Sequence, residues 1–436
     1  VRSRTGRDNY DLAEQWLSDV ENRRIIDEAI DAIPEGSLVY VAQGSGCPYG
    51  LLTAIDQHRE QFQRLQFVSA FLLERPAPVD HLGEPFSWLS LQPTGGMRDV
   101  LDHEDFGIIP GRYSDLDGIC SPNGPLPADV VVCQVSPPDK EGNCSLGTGV
   151  GGHVSLLKEA PLVIGQINNE MPHVYGEGEC STRDFDFLVS IDEPLPELQP
   201  AVVDTVSAAI ADFIEPFIPD GSTLQFGIGA VPDAVLSSLR GRKDLGLHGG
   251  MINDACLELI ECGAVNNLHK GCDEGVSVAA EIMGTRKLYD WVNRNPLVKL
   301  ARGAHTHGIP GMASVQKFVA LQSTVEMALD GSANSEFASG RFISGPGGAP
   351  DFAFGASIAT GGRSIIAMPS TAAKGSVSRI VQQLTAGAPT TLPSYLADIV
   401  VTEHGAVELR GRSLAERAEL LISIAHPDHR DALAEI

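Results

Sequence analysis

Short apolar runs alternate with amphipathic stretches along the chain, and this alternation restricts the possible folds more than any other feature. We predict strands at 37–42, 65–71, 129–135, 161–167, 222–228, 243–248, 364–368 and 398–402. We predict helices at 10–32, 201–214, 231–239, 254–262, 284–293 and 413–424, and we expect residues 413–434 to form a closing helix pair. Buried strands that alternate with helices are typical of mostly parallel sheets covered by helices. The sequence therefore predicts an α/β protein.

Two segments of the chain resemble each other. GSLVYVAQGSGCPYGLL begins at Gly36, and GSTLQFGIGAVPDAVL begins at Gly221. Each reads Gly-Ser, an apolar strand, Gly-x-Gly, and a proline at a helix start, and each is followed by a second predicted strand. Strand–turn–helix units can converge by chance, but the shared order favours a structural repeat. We therefore expect two halves of related topology.

A chain of 436 residues exceeds the usual size of one domain, so two or three domains are expected. The acidic, proline-rich segment 192–201 is typical of a linker. We therefore predict an N-terminal domain of residues 1–195 and a C-terminal domain of residues 196–436. The stretch 75–128 carries few periodic signals, and we expect it to form loops over the first domain.

The charge and the cysteines restrict the partners and the compartment. The net charge is −26, which disfavours nucleic acids and anionic membrane surfaces. No apolar run approaches 18 residues and the start lacks an apolar segment, so neither a membrane span nor a signal peptide is expected. Eight cysteines without a CxxC pair fit reduced thiols in the cytoplasm. Cys262, His269 and Cys272 lack a usual zinc spacing, so we predict no metal.

Three glycine-rich segments lie in the second half. The first, at 226–230, lies between a predicted strand and a helix, the second, at 345–352, precedes an apparent helix, and the third, at 361–381, contains a turn before a buried strand. Glycine lets a ligand approach the backbone, and a helix start favours negative charge, although a tight turn alone would also explain each loop. The loops predict an elongated anionic ligand. Three nearby cations could contact it if they are not merely solvated charges: Arg363, Lys374 and Arg379. The loops lack GxGxxG, which disfavours a nicotinamide dehydrogenase.

At these loops the chain resembles a known family. The strings FGIGAVPDAV, GTRKLYDWVNRNP, GPGGAPDFAFGA, GGRSIIAMPSTAAKGSVSRIV and VVTEHGAVELRGRS are similar to the acetyl-CoA hydrolase/transferase family, which includes 4-hydroxybutyrate CoA-transferases. In the first half, VSPPDKEGNCSLG and INNEMPHVYGEG carry the same resemblance. The likeness covers most of residues 36–436.

The resemblance implies two open α/β domains that face each other across a cleft, and a homo-oligomer. It implies acyl-CoA chemistry, in which a glutamate attacks the thioester to give an acyl anhydride and then a glutamyl-CoA thioester, from which a second carboxylate takes the CoA or which water hydrolyses. Coenzyme A and acyl-CoA are then substrates, and no permanently bound cofactor is expected. The implied CoA contacts are Phe226, Gly227, Ile228, Gly229, Ala230, Gly345, Gly347, Gly348 and Lys374.

The chain departs from the family at the nucleophile. The family's glutamate lies in a His-(Ser/Thr)-Glu-Met string, and here the string reads His248-Gly249-Gly250-Met251. Glycine has no group that can attack a thioester. The family mechanism therefore cannot start from Gly250.

Three interpretations remain open. A carboxylate from elsewhere replaces the missing one, and the candidates are Glu74, which the repeat would place like Gly249 and Gly250, and Glu170. Alternatively no covalent carboxylate is used, and His248 activates water or the acceptor attacks directly. The third interpretation is a catalytically silent acyl-CoA-binding protein. Cys47 could accept an acyl group, but a buried apolar role is favoured.

Two acidic positions in the second half receive other interpretations. Asp254 begins a predicted helix and is read as its cap, with Glu258 four residues further along. Glu403 follows a predicted strand within a family motif, and the sequence assigns it no chemical role.

Overall fold

A computed structural model describes residues 19–435, and the chain folds into two compact units. The first unit consists of residues 19–109, 115–197 and 281–302. The second unit consists of residues 110–114, 198–280 and 303–435. The chain passes between them at Glu197, inside the extended segment that the sequence identified as a linker.

The first unit is built on one parallel sheet. Its strands are β1 (Leu38–Val41), β2 (Leu65–Ser69), β3 (Phe86–Ser90), β4 (Phe106–Ile108), β5 (Val130–Val135), β6 (Asn143–Ser145), β7 (Leu162–Ile167), β8 (Glu179–Ser181) and β9 (Phe187–Ser190). Its helices are α1 (Asp19–Asp31), α2 (Tyr49–Gln57), α3 (Leu116–Cys120) and α4 (His153–Glu159). Seven of these strands form the sheet in the order β4-β3-β2-β1-β5-β7-β9, and all of them run parallel. Strands β6 and β8 pair with each other outside this sheet.

The second unit repeats the central order of that sheet. Its helices are α5 (Thr205–Ile214), α6 (Ala230–Ser238), α7 (Asp254–Glu261), α9 (Gly303–Thr306), α10 (Ile309–Ser314), α11 (Ala349–Ile358), α12 (Leu414–Ser423) and α13 (Arg430–Ala434). Its principal strands are β10 (Thr223–Phe226), β11 (Gly246–Ile252), β14 (Phe318–Ser323), β19 (Arg363–Ala367), β23 (Ile399–Thr402) and β24 (Gly405–Glu408). These strands lie in the order β11-β10-β14-β19-β23-β24, parallel except for β24.

The remaining elements are short or lie where the chain changes unit. Strand β12 (Ser277–Ile282) leads from the second unit into the first, where helix α8 (Arg286–Val292) and strand β13 (Val298–Leu300) follow. The short strands of the second unit are β15 (Glu326–Ala328), β16 (Ala333–Asn334), β17 (Phe337–Ala338), β18 (Arg341–Phe342), β20 (Thr371–Ala372), β21 (Val377–Ser378) and β22 (Ile380–Val381).

Burial explains why the apolar runs became strands. Every residue of β5 and of β10 is buried, as expected for strands in a parallel sheet covered on both faces. In the first unit Phe67 stacks on Trp88 at 4.9 Å between ring centroids, inside a continuous apolar core. Helix α12 begins where predicted, because Ser413 and Glu416 form a capping box. Within residues 19–435, every helix is too short or too polar to cross a bilayer.

Several predicted boundaries need correction. The stretch 75–128 is not a set of loops, since β3 and β4 lie in it and extend the parallel sheet. The side chains of β3 alternate between buried and half-buried, so this strand lacks the continuous apolar run of the others. The cap of α7 is Asn253, whose side chain accepts a hydrogen bond from the Cys256 N–H, and not Asp254. The predicted helix 10–32 is confirmed over Asp19–Asp31, and its first part lies outside the described residues.

The two sheets also correct the placement of Glu74. The predicted strand 243–248 begins at Gly246 and continues to Ile252, so Gly250 lies inside a strand and not after it. The pairing Leu38–Gln66 in the first sheet corresponds to Thr223–Gly246 in the second. This register makes Ala70 the counterpart of Gly250. Glu74 lies beyond the strand, and the repeat gives it no equivalence to the missing carboxylate.

Candidate active site

The loop after β10 exposes its main chain. Phe226 ends the strand and is buried, whereas Ile228 is 53% exposed. Gly229 has a φ of 133°, a conformation that favours glycine, and it precedes the first residue of α6. A Cβ added to Gly227 or Gly229 would meet nothing within 4 Å. A ligand can therefore approach the backbone of this turn directly.

A small pocket adjoins this turn within the second unit. Its lining includes Ile228, Gly229, Asp233 and Asn253. Asp233 accepts hydrogen bonds from the Ala201 N–H at 2.9 Å and from the Asn253 amide at 3.0 Å, and burial raises its pKa. Its oxygens therefore hold the loops around the pocket together. An acidic wall suits an uncharged part of a ligand better than a phosphate.

The second glycine-rich loop packs against its own chain. Gly347 has a φ of 58°, and its carbonyl accepts a hydrogen bond from the Tyr113 N–H at 3.0 Å. A Cβ on Gly348 would come within 2.8 Å of the His307 ring, so glycine is required there by close packing. The first turn of α11 is held by the buried Asp351, which Arg112 contacts at 3.1 Å. These glycines shape the start of α11.

The three predicted cations differ in availability. Lys374 is exposed and has a φ of 59° in the turn between β20 and β21. Arg363 donates to Asp398 at 2.7 Å and also pairs with Glu408, so its guanidinium is engaged. Arg379 is half-buried, and burial lowers its pKa. Of these three cations, Lys374 is therefore the most accessible to a ligand.

Gly250, the position at which the resemblance predicts the family's glutamate, has room for a side chain. A Cβ on Gly250 would lie 3.5 Å from His307 Nε2 and 3.6 Å from the Phe352 ring, which is ordinary van der Waals contact. His307 stacks on Tyr113 at 4.3 Å between ring centroids, and burial lowers its pKa to about 3. The imidazole is therefore neutral near pH 7, and this region of β11 is apolar.

His248 lies on β11 in a different cluster. It is fully buried, burial lowers its pKa to about 3, and neither ring nitrogen has a hydrogen-bond partner among residues 19–435. Such a weak base is poorly suited to activate water near neutral pH. One nitrogen of His248, the thiol of Cys272 and a carboxylate oxygen of Asp273 lie within 4.8 Å of one another.

Among residues 19–435, this second cluster is the one in which a metal could be held, because nitrogen, sulfur and carboxylate oxygen are zinc ligands. Two groups compete with a cation there. The buried Lys270, whose pKa burial lowers to about 8, interacts electrostatically with Cys272 and Asp273, and His305 donates to Asp273 at 2.8 Å. The sequence analysis considered Cys262, His269 and Cys272 as metal ligands, and of these only Cys272 belongs to this cluster.

The predicted nucleophiles of the first unit lie in unequal surroundings. Glu74 is exposed, and its main chain binds the Tyr49 hydroxyl at 2.9 Å. Glu170 forms an ion pair with Arg286. Cys47 is fully buried, and burial raises the pKa of its thiol well above the usual range, so it remains a thiol.

One carboxylate that the sequence did not single out lies among glycines. Glu281 is 1% exposed, and its Oε1 accepts a hydrogen bond from Gln43 Nε2 at 2.8 Å. The backbones of Gly44 and Gly149 lie against its Oε2. A charged residue within the apolar run VSVAAEIM was the signal available in the sequence, because acidic side chains are rarely buried.

The two parallel sheets, with a glycine turn after β1 and another after β10, define a class of α/β enzymes that bind ligands at the ends of strands. Residues 5–198 match the acetyl-CoA hydrolase/transferase N-terminal domain, and residues 284–436 match the C-terminal domain. The chain belongs to the acetyl-CoA hydrolase/transferase family. It is 36% identical over 408 residues to a 4-hydroxybutyrate coenzyme A transferase from Clostridium kluyveri. The aligned region covers 93% of this chain and 95% of that protein.

Solved structures agree with this family. The 4-hydroxybutyrate CoA-transferase from Porphyromonas gingivalis has a TM-score of 0.80 at 31% identity, with 97% of this chain and 98% of that chain covered. RipA from Yersinia pestis has a TM-score of 0.89 at 30% identity, with 95% and 98% covered. The predictions of an α/β fold, of this family and of an enzyme of acyl-CoA chemistry, by CoA transfer or thioester hydrolysis, are confirmed.

Proposed function

We propose that this protein transfers CoA from an acyl-CoA to a second carboxylic acid. The observation that carries the proposal is the open turn Gly227–Gly229, whose main chain a pantetheine arm can reach without meeting a side chain. Transfer is favoured over hydrolysis because similar proteins carry the names of CoA-transferases, including those acting on 4-hydroxybutyrate, succinyl-CoA and butyryl-CoA. The donor is then the CoA thioester of one small carboxylic acid, and the acceptor is a second small carboxylate.

CoA contacts follow from the open backbone and the exposed charge. The turn Phe226–Ala230 holds the pantetheine amides, and the acidic pocket beside it excludes the phosphates. Lys374 contacts a phosphate, since its ammonium is exposed. Gly347 and Gly348 act by shaping the start of α11. A cytoplasmic location, a homo-oligomer, and the division into residues 1–195 and 196–436 remain predictions.

Product analysis tests this function. The purified protein is incubated with acetyl-CoA or butyryl-CoA, with and without a second carboxylate, and the thioesters are separated by chromatography. We expect a new acyl-CoA that appears only with the acceptor. Thioester loss without an acceptor would instead establish hydrolysis. CoA binding without any thioester loss would overturn the proposal in favour of a silent binding protein.

A substitution in the turn tests where CoA binds. Gly227→Val adds a side chain into open space, so the fold should survive while the approach of CoA is blocked. Gly241→Val is the matched control, because Gly241 also has nothing within 4 Å of an added Cβ. We expect calorimetry to show weaker CoA binding by Gly227→Val alone. Equal affinities in the two variants would remove the turn from the site.

A further inference from the structure

The surroundings of Glu281 differ from those of two other buried acids, Asp351 and Asp398. Asp351 is bound by Arg112 and Asp398 by Arg363, so those carboxylates join elements through ion pairs. Glu281 accepts a hydrogen bond from an amide and lies against the main chain of glycines. Burying a carboxylate is costly, and such groups are often found where chemistry requires them.

Two glycines in the first unit make room for this side chain and a third makes room for the amide that binds it, and we call Gly44, Gly149 and Gly151 the glycine cradle. A Cβ on Gly149 would overlap Oε2 of Glu281 and lie 3.1 Å from its carboxyl carbon. A Cβ on Gly44 would lie 3.2 Å from the same oxygen. A Cβ on Gly151 would come within 2.6 Å of the Gln43 amide nitrogen. The cradle therefore accommodates both the carboxylate and the amide that holds it.

The backbone fixes the position of the carboxylate. Gly149 forms an antiparallel bridge with Glu281, and the Ile282 N–H donates to the Thr148 carbonyl at 2.7 Å. On the other side the Ser45 hydroxyl donates to the Ile282 carbonyl at 2.9 Å. These bonds tie the Glu281 segment to the loops that follow β1 and precede α4. A group held on both sides in this way is preorganised.

We propose that Glu281 is the catalytic nucleophile of the CoA transfer, in place of the carboxylate that Gly250 lacks. This inference rests on the proposed function. Oε2 attacks the acyl carbon, the C–S bond breaks, and CoA leaves as a thiolate while a mixed anhydride forms on Glu281. The thiolate then attacks the glutamyl carbonyl, which releases the donor carboxylate and leaves a glutamyl-CoA thioester.

The second half of the reaction reverses these bonds. The acceptor carboxylate attacks the glutamyl carbonyl and expels the CoA thiolate, and the new anhydride carries the acceptor acyl group. The thiolate attacks that acyl carbon, which forms the product thioester and regenerates the Glu281 carboxylate. No net proton, oxidant or reductant is required. The low exposure of Glu281 fits this chemistry, because both intermediates are destroyed by water.

The alternative candidates lack these surroundings. Glu74 is exposed to water, and the register of the two sheets gives it no equivalence to Gly250. Glu170 is partly exposed and forms an ion pair with Arg286. Neither carboxylate is packed against glycine main chain as Glu281 is.

Trapping the intermediate tests the assignment. Wild type, Glu281→Gln, Glu74→Gln and the exposed control Glu60→Gln are incubated with butyryl-CoA, treated with borohydride, digested and analysed by mass spectrometry. We expect borohydride to inactivate wild type by reducing a thioester on the peptide that contains Glu281. Glu281→Gln should lose transfer at least about 10³-fold and form no adduct. CoA affinity and thermal unfolding should remain close to wild type.

Each other outcome has a defined meaning. Glu281→Gln that transfers within tenfold of wild type, or an adduct on the Glu74 peptide, overturns the assignment but leaves the proposed function intact. Wild type that forms no adduct and transfers no CoA overturns both. Should Glu281→Gln fail to fold, Glu281→Asp decides, since it keeps the charge but withdraws the carboxylate by about 1.5 Å. A folded Glu281→Asp with full activity contradicts the nucleophile role.

Discussion

Gly149→Ala provides a sharp test of the glycine cradle, because it removes no ionisable group from the protein. Gly149 lies outside the left-handed region, so alanine can adopt its backbone conformation. The added Cβ would lie closer to Oε2 of Glu281 than the 3.0 Å that real Cβ atoms keep, and 3.4 Å from Oε1. The carboxylate must therefore move, whereas the turn after β10 is untouched.

The size of this effect follows from the displacement. Moving a reacting atom by roughly 1 Å costs about 10²-fold in rate, or about 2.7 kcal/mol of transition-state stabilisation. Overpacking of a buried site also costs about 1–3 kcal/mol of stability. We therefore expect kcat to fall about 10²-fold for Gly149→Ala, with CoA affinity retained. The matched control is Gly118→Ala, where an added Cβ meets nothing within 4 Å.

Steady-state kinetics, calorimetry with CoA and denaturant unfolding measure these three quantities. The double variant with Glu281→Gln should be no slower than Glu281→Gln alone, because both changes act through one carboxylate. A folded Gly149→Ala enzyme with kcat within threefold of wild type would refute the reasoning. So would additive losses in the double variant.

Two further predictions concern lysines. Lys374→Ala should weaken CoA binding by about 1–3 kcal/mol in calorimetry, as for a lost charge-assisted hydrogen bond, and unchanged affinity would exclude Lys374 from the site. Lys270 is fully buried and its pKa is lowered from 10.5 to about 8, so the folded state disfavours its charge by about 3 kcal/mol at pH 7. Because the unfolded state binds the extra proton, this penalty disappears as pH rises from about 8 to 10.5. Lys270→Met should therefore be more stable by about 2 kcal/mol at pH 7 after loss of the bond to the Val276 carbonyl, and this advantage in urea unfolding should vanish near pH 10. If the stability gained by Lys270→Met did not change with pH, a lowered pKa of Lys270 could not be its cause.

The parts of the fold that were predicted depend on local signals. β5 begins with three consecutive valines, β10 lies between a Gly-Ser pair and a glycine-rich turn, and the N-terminus of α12 carries a capping box, so neighbouring residues were sufficient to identify them. β3 was missed because its alternating exposure offers no such run. β14 was missed as well, although all but its last residue are buried. An apolar run of this length is compatible with either a strand or a helix.

The sequence by itself determined the α/β class, the repeated strand–turn–helix unit and the family, because these depend on periodicity and on motifs read along the chain. It also showed that Gly250 cannot act as a nucleophile. Only the tertiary structure decided which carboxylate lies among glycines. Gln43, Gly149 and Glu281 are far apart in the chain, and their side-chain and backbone contacts exist only after the strands have paired.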